Sequence, residues 1–181
     1  MFRMKSCQYK TSYLRKMLLV EKVSLVLLIP ANLCFSLAAI THMWFELSGV
    51  HYGLWWAKFC QFPGDCQLVP AFFTNEPFCY HLLQVACLFA WGGLSLAAYM
   101  LLSTKMDHRI PKTLRSKRQI AISLICFMSV FAMSGALYLF YFILDEFPTQ
   151  PKVLPELKWS SMLVGLACLL EFVAGILLLQ A

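Results

Sequence analysis

The side chains able to do chemistry in this chain are few and scattered. His42 and His51 precede Cys60 and Cys66, residue types that bind zinc when two imidazoles and two thiolates converge; the same two thiols, six positions apart, can instead close a small disulfide. His81 and His108 lie elsewhere in the chain. No Cys-x-x-Cys pair offers thiol–disulfide exchange, and no Gly-rich phosphate loop or Gly-x-Ser-x-Gly elbow offers phosphoryl or acyl transfer. Glu171, Asn32 and Gln84 interrupt otherwise apolar stretches, where a carboxyl or an amide must find a hydrogen-bonding partner. Catalysis needs titratable groups gathered in one place. This scatter supplies none, so no enzyme activity, cofactor or metal is expected.

The elements that must position these residues follow from composition. Of 181 residues, 60% are hydrophobic and only 13% charged, against roughly 45–50% and about 25% in an ordinary soluble domain. A core of this size cannot hide so much apolar side chain, so the expected solvent is a lipid bilayer. Four stretches, at about 23–41, 80–102, 120–144 and 160–180, approach or exceed the roughly 20 helical residues needed to cross it. Each must be helical, because lipid offers a loose backbone no partner. A cleaved signal peptide competes for the first stretch, since Ser36-Leu37-Ala38 resembles a cleavage pattern. The basic lead over residues 1–22 is long for that role, and the apolar run continues through Ala39 and Ile40 towards Trp44, so a retained span is expected.

Lys and Arg concentrate on the cytoplasmic side of membrane proteins. Arg3, Lys5, Lys10, Arg15, Lys16 and Lys22 precede the first span, and Lys105, Arg109, Lys112, Arg115, Lys117 and Arg118 lie between the second and third. The other two loops hold only Lys58, Lys152 and Lys158 beside six acids. Both termini and the 103–119 loop are therefore expected inside, in a multi-pass protein of the plasma membrane. The net charge of +6 reflects this topology and not nucleic-acid binding. The arm over 1–22 is a candidate for contact with anionic lipid through Arg3, Lys5, Lys10, Arg15 and Lys16. Cys7 within it is a candidate for lipidation, and Ser116, in Arg115-Ser116-Lys117-Arg118, for phosphorylation.

The loop from Thr41 to Tyr80 then faces an oxidising compartment, where a disulfide between Cys60 and Cys66 is the expected use of both thiols. Pro63-Gly64-Asp65 between them suits a reversal of the chain. Val50 to Trp56 reads as a strand, and the three prolines of the 145–159 loop limit it to a sheet edge.

Trp44, then Gly53-Leu54-Trp55, then Cys60 and Cys66, set in the first outer loop of a four-span layout, resemble the claudin, peripheral myelin protein and epithelial membrane protein superfamily. The resemblance implies an all-α membrane fold: a left-handed four-helix bundle over residues 23–181, capped by a small extracellular antiparallel sheet. It also implies a non-enzymatic role in organising membranes or cell–cell contacts through the disulfide-closed loop, with itself or other membrane proteins as partners. The alternative is an accessory subunit of an ion channel, receptor or other membrane complex. Glu171 is expected to bond another helix, with Asn32 at similar depth as its partner, or to contact a partner protein.

Overall fold

The computed structural model describes residues 2–47, 50–62, 65–70, 78–106, 112–145 and 156–180; within these ranges the side chains of a few stretches, residues 2–18 and 60–65 among them, lie outside the description. Helix α1 (Phe2–Ile40) leads into β1 (Phe45–Leu47), β2 (Val50–Tyr52), β3 (Trp56–Phe62) and β4 (Asp65–Pro70). Then come α2 (Phe78–Met106), α3 (Lys112–Asp145), the two-residue β5 (Glu156–Leu157) and α4 (Trp159–Leu179).

All four helices contain a segment long and apolar enough to cross a membrane: Leu19–Ile40, Tyr80–Ser103, Leu114–Leu139 and Trp159–Leu179. The first and third start earlier than expected, because the helices run on past the most apolar core. α1 passes without a break from the basic arm into the span and through Pro30. Pro30 removes one amide donor from the ladder, which a membrane helix tolerates where neighbouring groups take up the freed carbonyl.

The bundle buries polar side chains beside an apolar core and presents large apolar side chains on its outer surface. Ser24, Ser123 and Ser129 are buried with Gln119 and Glu171, while Val26, Val85, Phe131 and Met162 are more than 60% exposed. Water would strip such a surface of its stability, whereas hydrocarbon matches it. α1 packs on α4, α2 on α3, and α3 on α4, with α1 and α2 meeting less closely. A core line running from Leu25, Leu28 and Phe35 through Leu83, Leu94, Ile122 and Met133 to Val164 and Leu178 fills the interior.

At one end the strands form an antiparallel sheet in the order β4-β3-β2-β1-β5. β5 lies at the edge, as the proline-limited loop implied, and pairs Leu157 with Phe45 and Glu156 with Glu46. The expected continuous strand from Val50 to Trp56 is corrected. It divides into β2 and β3, and Gly53-Leu54-Trp55 forms the bend between them.

Candidate functional site

That bend is where the loop is fastened to the bundle. A Cβ on Gly53 would stand 2.5 Å from the Cα of His42 and 2.6 Å from the carbonyl oxygen of Thr41, so two backbones meet here at a distance only glycine permits. The amide of Gly53 donates to the Trp56 carbonyl at 2.8 Å. Its carbonyl accepts from the hydroxyl of Tyr80, at the start of the α2 span. The next carbonyl, that of Leu54, accepts from Nε2 of Gln84 at 2.8 Å, one helical turn further in. His81 Nδ1 lies 3.1 Å from the other amide atom of Gln84, Oε1.

Trp44 enters from the opposite side. Its indole N–H donates to the Ala38 carbonyl at 2.6 Å and its amide to the Tyr52 carbonyl at 2.9 Å. The indole thereby joins the amide and hydroxyl of Thr41 on a carbonyl at the end of α1, where the helical ladder runs out. Trp44 is fully buried and Leu54 nearly so, whereas Trp55 is half-buried against the core and Trp56 faces outward. The large buried aromatic of the motif is thus Trp44.

β3 and β4 project from this seat as a hairpin in which Cys60 stands opposite Cys66. The Cys60 side chain lies outside the described residues, as do residues 63–64. The expected disulfide is therefore compatible with the strand register and is carried forward as a proposal.

At the other side of the sheet Lys158 joins the two loops: its Nζ lies 2.6 Å from Glu46 and 2.8 Å from Glu156. The hydrogen bond from Lys158 holds the Glu46 carboxyl below its ordinary range, and the bonds to Glu156 and Glu46 raise the Lys158 ammonium. His51 Nδ1 is 3.6 Å from the same Glu46 oxygen. The Lys158 amide also donates to the Trp44 carbonyl at 3.0 Å, and the hydroxyls of Thr41 and Ser160 meet at 2.6 Å, so the start of α4 is tied to the end of α1.

Inside the bundle the polar residues separate into independent groups. Asn32 Nδ2 donates to the Ser95 hydroxyl at 2.8 Å, Ser36 donates back to Asn32 at 3.4 Å, and the indole of Trp91 donates to Ser36 at 3.1 Å. This ladder follows the α1–α2 seam. Glu171 belongs to another: its Oε2 lies 3.1 Å from the Ser129 hydroxyl, which also reaches the Ala90 carbonyl at 3.0 Å, linking α4, α3 and α2. Its Oε1 is buried without a partner. The expected pairing of Glu171 with Asn32 is therefore corrected.

At the basic end Arg115 donates two hydrogen bonds to Glu21, one of them from Nε at 2.6 Å, and Gln119 donates a third at 3.0 Å. In the sequence, the Arg115 of this part-buried α1–α3 clamp reads only as loop charge. A glutamate two residues ahead of the first expected span has no local signature that names its partner.

The side chains of Cys7, Arg3, Lys5, Lys10, Arg15 and Lys16 lie outside the description, so lipidation and anionic-lipid contact stay expectations. Ser116 is exposed on α3. Cys34, Cys87, Cys126 and Cys168, all within the bundle, are free thiols. Among the described residues no group of three or more His, Cys, Asp or Glu side chains is placed to hold a metal ion. Set against known proteins, the chain matches no family model and no curated protein.

Proposed function

We propose that this chain is a non-enzymatic, claudin-like integral membrane protein of the plasma membrane that organises membranes or cell–cell contacts through its first outer loop. The observation that carries this reading is the seat just described. Trp44, Gly53 and Leu54 are fixed to backbone groups of α1 and to Tyr80 and Gln84 of α2, which makes the β3–β4 hairpin a projection on a rigid base. A rigid, sheet-bearing face loses little conformational entropy when it meets a partner surface. In this reading the sheet is extracellular, Cys60 and Cys66 are disulfide-bonded, and both termini are cytoplasmic.

A second reading, an accessory subunit of a channel, receptor or other membrane complex, draws on Gly92, Gly135 and Gly165, where an added Cβ would meet nothing within 4 Å. Such open small residues allow a foreign helix to approach closely. Purification in mild detergent with quantitative mass spectrometry separates the two. Self-association lost on mutating β3 or β4 supports the loop reading, and a stoichiometric larger partner retained by those variants supports the subunit. Free labelling of both Cys60 and Cys66 in unreduced protein removes the disulfide from either.

A further inference from the structure

Between α1 and α2, just beneath the sheet, lies a side-opening cleft of about 220 Å³, its surface almost wholly apolar. Phe35 and Ile40 form one wall, Leu88 and Trp91 the other, and Leu54 and Trp55 of the loop close its top. It lies between two helices that pack less closely on each other than α1 does on α4 or α2 on α3, and Ile40, Leu88 and Trp91 are each exposed by more than 40%. Of the polar groups at its edge, the Trp91 indole N–H is already bonded to Ser36, and Ser36 donates to Asn32.

We propose that this cleft binds one acyl chain of a phospholipid from the leaflet on the sheet side. The inference rests on the membrane-spanning reading of the helices but not on which side the sheet faces. Three observations select the occupant. The α1 wall runs from Phe35 to Ile40, a rise of about 7.5 Å, against about 33 Å for a full 22-residue span. The loop roofs the cleft at Leu54 and Trp55, so a second transmembrane helix, which must pass the full thickness at a width of about 10 Å, cannot lie in it. Finally, the volume falls below the roughly 300–1,000 Å³ of sites that enclose a whole drug-sized molecule. A flexible tail entering sideways from hydrocarbon meets all three conditions, with its headgroup left outside the roof. The bound chain fills space between α1 and the Leu54-Trp55 bend, so its presence steadies the seat of the loop.

The test is photolabelling of the full-length protein in phosphatidylcholine nanodiscs containing phosphatidylcholine with a diazirine midway along one acyl chain, followed by peptide mass spectrometry. Adducts on Leu88, Trp91 and Ile40 should exceed by several-fold those on Phe131 and Leu169, which lie on the outer surface of α3 and α4 and are more exposed than Leu88 and Trp91. Ala39→Phe, which fills the cleft from the α1 side, should bring the excess down to the level of those two residues. Even labelling of all five positions in the unaltered protein would show ordinary boundary lipid and overturn the proposal, whether or not the variant folds. Protein–protein cross-links at Trp91 in place of lipid adducts would assign the cleft to a second copy and also overturn it.

Discussion

Ser129 has one hydroxyl hydrogen and two acceptors in reach, the Ala90 carbonyl and Glu171 Oε2. Both contacts are hydrogen bonds together when the carboxyl carries its own proton and donates it to Ser129, which passes its hydrogen to Ala90. A neutral carboxyl also avoids the cost, about 2.5–3.5 kcal/mol on insertion scales, of a charge at mid-membrane. Glu171→Leu should then cost only about 0.6–2 kcal/mol, since Ser129 keeps the Ala90 carbonyl. Ser129→Ala should cost more, about 1–3 kcal/mol, because it strands a carboxyl whose Oε1 already lacks a partner. The double variant should cost less than the sum, whereas Glu171→Leu and Asn32→Leu should add, since the two residues share no partner. Thermal unfolding in detergent reads each single and double variant, and coupling between Glu171 and Asn32 would contradict the assignment. The depth of each residue was legible in the sequence from its position in its span. The partner was not, because depth fixes only one coordinate; the rotation of each helix turns Asn32 towards Ser95 and Glu171 towards Ser129.

The loop elements were legible where side-chain chemistry dominates and illegible where backbone contacts do. Aromatic and aliphatic residues from Val50 to Trp56 read as one strand, but strand preference reports packing on a pleated surface and is blind to a carbonyl captured by another element. The carbonyls of Gly53 and Leu54 are taken by Tyr80 and Gln84, and the strand breaks there. Gly53 is the residue on which this depends. Its missing side chain lets the bend reach the backbone at Thr41 and His42, so Gly53→Ala must push β2 away from α1 and loosen Trp44 and Leu54 with it. Overpacking of this kind costs about 1–3 kcal/mol, here against backbone that cannot rotate aside. Gly92→Ala is the matched control: it lies inside α2 in open space, where alanine is favoured by up to about 1 kcal/mol. The expected outcome is a lower melting temperature and poor surface delivery for Gly53→Ala, with Gly92→Ala equal to or above the parent. Equal behaviour of the two would mean that the close approach at Gly53 is not what seats the loop.

At the scale of the molecule, hydropathy alone revealed four spans, because an apolar run of that length has no other stable use. The helix that carries the third begins ahead of the expected span, at Lys112. Arg115 reads in the sequence as loop charge, yet it is an integral part of α3, neutralised within the bundle by Glu21 and supported by Gln119. A part-buried ion pair at one end and the Lys158–Glu46–Glu156 group at the other give the bundle two chemically distinct ends. Arg115, Lys117 and Arg118 lie at the end away from the sheet, with Lys22 beside them on α1, while the sheet end carries Glu46 and Glu156 around Lys158. Basic residues close to span ends are held back on the cytoplasmic side during insertion, so the sheet should face outward. An epitope placed between residues 107 and 111 should resist protease on intact cells and be cut after permeabilisation, and one placed between residues 63 and 64 should be cut on intact cells. The opposite pattern would put the basic end outside, remove Cys60 and Cys66 from an oxidising compartment, and end the reading of the hairpin as an extracellular contact surface.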